Sequence, residues 1–506
     1  MGDTSQSISI AGKEILILAN ENDEEYIYQD LVNHLRKYNV FESLNWIGKK
    51  SYESSNSLKA SIDHILAYLS MVLIRHSNDF RGYELDEQGL LFAAKMYMNL
   101  KDPLHDDGDG VAYLLRHGSI SWDFVRPSEY LIPRTYLLYS RLWDECDKTT
   151  IDVKDDIQNL TGFNLECLFY MACAFYSKSK NGHVLKYRDS KCTMFNDKNQ
   201  DLFLNYVSCD YAKFRGECKS IRSGYEKYSF NPLLKYPLII PEKRPYELNS
   251  KPYLVPVPGL LLYRVTHGLF FDLADLYRDK GKVNPFRSSF GYVFQDYIGE
   301  LLKRCGTEGQ LLPEFRYHKT KDSPDWLILD GDKLLVIEVK YPMLYLGAKQ
   351  FGDDKKVKKD LRNTIGKAVK QFYQFETAIN CCSDSKLGKF KGCKVQRLIV
   401  TYDRGYFLNS FIKDYLKDLF EEEVGVIPDN FEFQVISVDE FEYLVGEYGS
   451  DLFSFLEEKN SNKEHREMDF NEYLNIKTNS YCVRNKFLDD LRNELLSTQN
   501  LNLSPQ

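Results

Sequence analysis

Apolar residues recur at helical spacing through most of the first 280 positions. Residues 57–76, 87–98, 129–143 and 164–177 carry them on one face, which predicts a series of amphipathic helices. A short apolar run from Glu14 to Ala19 predicts a strand near the start. No segment repeats at a fixed period and no tract is of low complexity. Prolines then crowd together at Pro232, Pro237, Pro241, Pro245, Pro252, Pro256 and Pro258, which predicts extended connection rather than helix. A helix over 260–280 follows, and Gly281 and Pro285 break it. The domain boundary is placed there.

After position 285 the pattern changes character. Residues 290–304 form an amphipathic helix with Phe294, Tyr297, Ile298, Leu301 and Leu302 on one face. Strands are expected at 311–318 and 325–329, and Asp330-Gly331 turns the chain into a third at 333–339. A long basic helix over 355–380 carries an apolar stripe of Ile365, Ala368, Val369, Phe372 and Phe375. A strand at 395–402, a helix at 407–420 and a strand at 431–438 follow, and acidic helices occupy the chain after 447. The expected architecture is α+β and multidomain. It comprises a mainly helical region (1–285), an α/β module with a central mixed sheet flanked by helices (286–446) and an acidic helical extension (447–506).

Composition narrows the class. Of 506 residues, 43% are hydrophobic and 28% charged, a globular balance that excludes a disordered, collagen-like or fibrous chain. The longest apolar stretches, 65–74 and 165–175, fall short of the ~18–20 residues a membrane span needs. Met1-Gly2-Asp3-Thr4-Ser5-Gln6 lacks the basic and apolar regions of a signal peptide, and Gln6 stands where myristoylation wants Ser or Thr. A cytoplasmic protein is expected. The 11 cysteines are scattered and none forms a CxxC, which suits reduced thiols used as small core residues. Cys192, Cys209 and Cys218 with His183 match no common zinc spacing. Asp106-Asp107-Gly108-Asp109-Gly110 lacks the glutamate that closes a calcium loop and reads as a turn.

Net charge is −8, yet the charge is unevenly spread. Residues 341–404 hold 14 Lys/Arg against 6 Asp/Glu, and residues 405–506 hold 9 against 21. A basic segment inside an acidic protein suits either a local polyanion site or a solvated lysine-rich helix face.

The sharpest chemical signal is Ser323-Pro324-Asp325 followed, thirteen residues after the aspartate, by Glu338-Val339-Lys340. Strand alternation points Glu338 and Lys340 the same way, and the hairpin brings Asp325 alongside Glu338. Two close carboxylates repel unless a cation lies between them. Oxygen ligands without nitrogen or sulfur favour Mg²⁺ or Mn²⁺, which suits metal-assisted phosphodiester hydrolysis. The bland reading is an exposed cross-strand ion pair. It fits poorly with Leu334-Leu335-Val336-Ile337, which reads as a buried strand.

Pro324-Asp325 with Glu338-Val339-Lys340 resembles the PD-(D/E)xK nuclease superfamily over roughly 290–438. The resemblance implies a restriction-endonuclease-like fold in which Asp325 and Glu338 bind metal, Val339 lends its backbone carbonyl and Lys340 assists the nucleophilic water. Gly291-Tyr292-Val293-Phe294-Gln295-Asp296-Tyr297 is similar to the family's helix before the hairpin, with Gln295 where an acid is common. Asp296 or Glu300 could compensate, and Glu314 is a further acidic candidate. Gln371 resembles the helical glutamine that many relatives bring to the site. Lys355, Lys356, Lys358, Lys359, Arg362, Lys367 and Lys370 on the basic helix would contact phosphates. His318 has no partner that suggests a triad.

Together these imply a Mg²⁺- or Mn²⁺-dependent endonuclease acting on DNA, most readily duplex, in restriction or anti-phage defence. The region 1–285 would serve sensing, partner binding or homodimerisation. The rival readings are a nuclease of repair or recombination, and a binding or scaffold protein whose nuclease fold has lost activity.

Overall fold

The computed structural model describes residues 6–10, 13–17, 25–55, 62–101, 129–187, 192–221, 223–242, 251–278, 283–306, 309–318, 321–341, 359–381, 384–402, 409, 431–478 and 484–497. The expected helix at 407–420 apart from Asn409, the turn at 106–110 and Lys355, Lys356 and Lys358 lie outside them.

Strands β1 (Gln6–Ile10) and β2 (Lys13–Ile17) form an antiparallel hairpin. Helices Tyr28–Leu35, Val40–Ser55, Asp63–His76 and Glu87–Met98 then pack a first core around Leu31, Leu44, Leu69 and Ala93. Cys209 and Cys218 are buried in this core, and His183 bonds Asn45. The region also holds a small sheet that the helical pattern does not announce. Strands β3 (His183–Val184), β4 (Ser208–Asp210), β5 (Leu238–Ile240) and β6 (Tyr253–Leu254) lie in the order β3-β6-β5-β4. The described parts of the proline-rich stretch hold β5, β6 and one 3₁₀ turn at Pro232–Leu234, and residues 243–250 lie outside the described residues.

Two expected helices are broken. Residues 129–143 divide into Leu131–Tyr139 and Arg141–Glu145 at Ser140, which leaves helical dihedrals (φ −124°, ψ −94°). The break lets Trp143 stack on Phe286. Residues 260–280 divide into Gly259–Arg264 and His267–Leu276 at Thr266, whose hydroxyl donates to the Leu262 carbonyl. Such bonding back along a helix competes with the next turn.

The second half is built on five strands: β7 (Gln310–Pro313), β10 (Trp326–Asp330), β11 (Lys333–Lys340), β12 (Lys394–Thr401) and β13 (Gln434–Ser437). Their order is β13-β12-β11-β10-β7, antiparallel from β7 to β11 and parallel from β11 to β13. The expected strand at 311–318 is shorter, because the edge strand ends at Pro313. Arg316–Tyr317 (β8) turns instead to pair with Lys321–Asp322 (β9). Gly331 makes the β10–β11 turn at φ +57°, a conformation that favours glycine.

Helix Pro285–Arg304 covers one face of the sheet with Phe290, Phe294, Tyr297 and Leu301. Each large apolar side chain so buried stabilises the fold by about 1.5–3 kcal/mol. Gly299 allows the close approach, since a Cβ there would lie 2.0 Å from the Trp326 ring. The opposite face is covered by helix Lys367–Asn380 through Val369, Phe372 and Phe375. This helix is preceded by a π turn over Arg362–Gly366. Helices Val438–Tyr448, Leu452–Ser461, Lys463–Glu467, Phe470–Thr478 and Lys486–Leu495 complete the chain on the first face.

Residues before and after 285 share one hydrophobic core, from Leu137 and Phe175 through Phe294 to Leu444 and Leu488. A buried network fastens it. Arg134 donates to both oxygens of Glu442, at 2.6 Å each, and to Asp439, while the Tyr297 hydroxyl donates to Glu442 at 2.5 Å. Among the described residues, no helix is long and apolar enough to cross a membrane.

Candidate active site

The site lies where β10 begins and β11 ends. Trp326 pairs with Ile337, so one further step of the register sets Asp325 opposite Glu338. The ladder stops there, because Pro324 has no N–H to offer. Val339 N–H instead donates to Asp325 Oδ2 at 2.6 Å. On β11, Leu335, Ile337 and Val339 face the Pro285–Arg304 helix, while Leu334 and Val336 face the Lys367–Asn380 helix. Strand alternation puts Glu338 and Lys340 on the second face.

Three residues hold the start of β10 in place. Ser323 is fully buried; its N–H donates to the Phe315 carbonyl and its hydroxyl accepts from Phe315 N–H, each at 2.9 Å. Gln371 Nε2 donates to the Ser323 carbonyl at 2.8 Å. The helical glutamine therefore reaches the segment that carries Asp325. The part played by Ser323 follows from its carbonyl and its depth, which the motif spacing does not reveal.

The electrostatics are those of a strained acidic pair. Asp325 is 9% exposed and Glu338 2%. Burial, and then the Glu338 charge, push the Asp325 carboxyl well above its usual range. Burial raises Glu338 as well, against the opposing pull of Lys340. Lys340 donates to Glu338 Oε1, and its ammonium is stabilised by Glu338 and Asp325 strongly enough to outweigh its own desolvation. Glu338 Oε2 is buried and accepts no hydrogen bond. A buried carboxylate oxygen without a partner costs about 1–3 kcal/mol, and a hard cation is one group that would satisfy it.

The auxiliary acids separate into two groups. Glu314 stands next to the site: its charge acts on Asp325, Glu338 and Lys340, and it bonds the Gln295 side chain. Gln295 also accepts, through its carbonyl, from the Trp326 indole at 2.9 Å. Asp296 and Glu300 point elsewhere. Asp296 faces the Cys146 thiol and Lys148, and Glu300 pairs with Arg141 at 2.5 Å and Arg304 at 3.0 Å. A helix turns about 100° per residue, so Asp296 projects away from the direction Gln295 takes. Of the lysines, Lys359 and Lys367 are exposed and Lys370 partly so, with Lys367 one turn before Gln371. His318 is exposed at φ +52° and its N–H bonds Asp384.

Among the described residues, no group of three or more His, Cys, Asp or Glu side chains is arranged to hold a metal ion. The donors present are two carboxylates, which suffice for Mg²⁺ when waters and substrate oxygens fill its remaining positions. No protein-family model, no curated protein and no solved structure matches the chain. Fold and site therefore define it by geometry: an α+β protein with a buried carboxylate pair and a lysine at the end of a mixed sheet.

Proposed function

We propose that the chain is a Mg²⁺- or Mn²⁺-dependent nuclease with a restriction-endonuclease-like module at 286–446, acting on DNA in restriction or anti-phage defence. The observation that carries this reading is the convergence of Asp325, Glu338 and Lys340, with Gln371 fixing the Ser323 carbonyl beside them. Asp325 and Glu338, with the Val339 carbonyl, would hold the ion. Bound there, it supplies a polarised phosphoryl oxygen and a water of lowered pKa. Lys340, charged and next to both acids, orients that water or neutralises charge on the phosphoryl group. The low polarity around the pair strengthens each of these interactions.

The test incubates supercoiled plasmid, linear duplex and single-stranded RNA with Mg²⁺, Mn²⁺ or EDTA, alongside Glu338→Ala and Lys340→Ala. Metal-dependent cutting lost in both variants supports the reading and identifies the substrate. The second reading, a nuclease fold retained for binding, is favoured by Gln295 standing where an acid is common and by its bond to Glu314. Absence of cutting together with absence of Mg²⁺ binding by calorimetry would select it.

A further inference from the structure

Residues 141–150 belong to the N-terminal half yet run along the helix that borders the site. Arg141 pairs with Glu300, Trp143 stacks on Phe286, and Thr150 N–H donates to Ser289 Oγ at 3.2 Å. The chain between these anchors turns at residues 147–148 and sets Lys148 over Tyr292, whose neighbour Gly291 packs against the ring of Tyr341, the residue after Lys340. Lys148 Nζ sits 4.4 Å from the centre of the Tyr292 ring, and Tyr292 is 42% exposed. Its charge acts on Asp296 and on Glu314, the acid that in turn acts on Asp325 and Glu338. Among the described residues Lys148 is exposed and closes no ion pair.

We infer that Lys148 binds a backbone phosphate of the duplex next to the one cleaved, and that Tyr292 positions it by holding the ammonium over its ring. This rests on the nuclease reading. An acidic pair repels an incoming polyanion, so a cation at the rim has electrostatic work to do there. The ring face orients the ammonium without neutralising it, which leaves the full charge for a phosphate. The motif residues carry no trace of this, because Lys148 precedes Asp325 by 177 positions. The N-terminal half would then complete the substrate surface.

The experiment measures binding of a fluorescent 20-base-pair duplex to the full chain between 50 and 200 mM salt. Ca²⁺ replaces Mg²⁺ to supply hard-cation charge, and where binding is too weak the slope is read from kcat/KM in Mg²⁺. Each phosphate contact contributes about 0.9 to the slope of log K against log salt. Across that fourfold range, wild type should lose about 3.5-fold more affinity than Lys148→Ala. Lys148→Arg should keep the wild-type slope, and Tyr292→Ala should weaken binding more than Tyr292→Phe. Wild type that binds or cuts DNA, with an unchanged slope in Lys148→Ala, overturns this inference and leaves the nuclease reading standing. Wild type that neither binds nor cuts DNA overturns both.

Discussion

Asp325→Asn should stabilise the protein at pH 8 while abolishing metal-dependent cutting. Asn keeps an oxygen that accepts the Val339 N–H and removes the charge facing Glu338. Directly opposed side chains in an antiparallel pair stand about 5 Å apart at Cβ. At an effective dielectric of ~20, two unit charges at that separation repel by roughly 3 kcal/mol. Lys340, bonded to Glu338, cancels part of this, which leaves a gain of about 1–2 kcal/mol for the variant. The sign with pH follows from the raised carboxyls. The fold holds these protons more tightly than the unfolded chain, so wild-type stability falls as pH rises above the ordinary carboxylate range. The advantage of Asp325→Asn should therefore shrink towards pH 4, where both proteins carry a neutral group there. Scanning calorimetry reads it as a Tm about 2–4 °C higher per kcal/mol if the cooperative unit is 150–250 residues. Mg²⁺ should raise the Tm of wild type, by about 2.7 kcal/mol of stability at 100 times its Kd, and leave the variant unmoved. A variant less stable than wild type at pH 8, or a difference that does not change with pH, would refute the reasoning.

Two further outcomes are expected. Gln371→Ala removes the hydrogen bond to the Ser323 carbonyl, costing about 1 kcal/mol of stability; because Ser323 leads into Asp325, cutting should fall at least tenfold, as read by plasmid nicking. Arg134→Met leaves Glu442 and Asp439 buried without their cation, which should cost about 3–5 kcal/mol at pH 8 in urea unfolding. Burial already holds the Glu442 carboxyl at about 7 with Arg134 present, so its protonation should shrink that loss at pH 5.

What the chain discloses in advance depends on how local the cause is. The Asp325–Glu338–Lys340 grouping follows from strand alternation and a two-residue turn at Asp330-Gly331, both written within sixteen residues. Gln371 is legible for the same reason: it borders an apolar stripe of helical period, and that stripe must face the sheet. Asp296 and Glu300 meet Cys146 and Arg141, partners 150 and 159 positions upstream that no local pattern announces. The small sheet of β3 to β6 escapes notice because strands of two or three residues leave no alternation to detect. The break at Ser140 likewise answers to packing, and that at Thr266 to its hydroxyl's bond back to Leu262, where propensity alone would continue the helix. The consequence bears on how the chain works. The helix that presents Gln295 and Tyr292 is buried on its inner face against Tyr139, Phe270 and Glu442, contributed from both sides of position 285. A change of packing in the N-terminal half therefore reaches the rim of the site through rigid contacts, and interiors this dense shift between discrete arrangements more readily than they deform. Displacing the Arg141–Glu300 and Trp143–Phe286 anchors would accordingly move Lys148 and Tyr292 together.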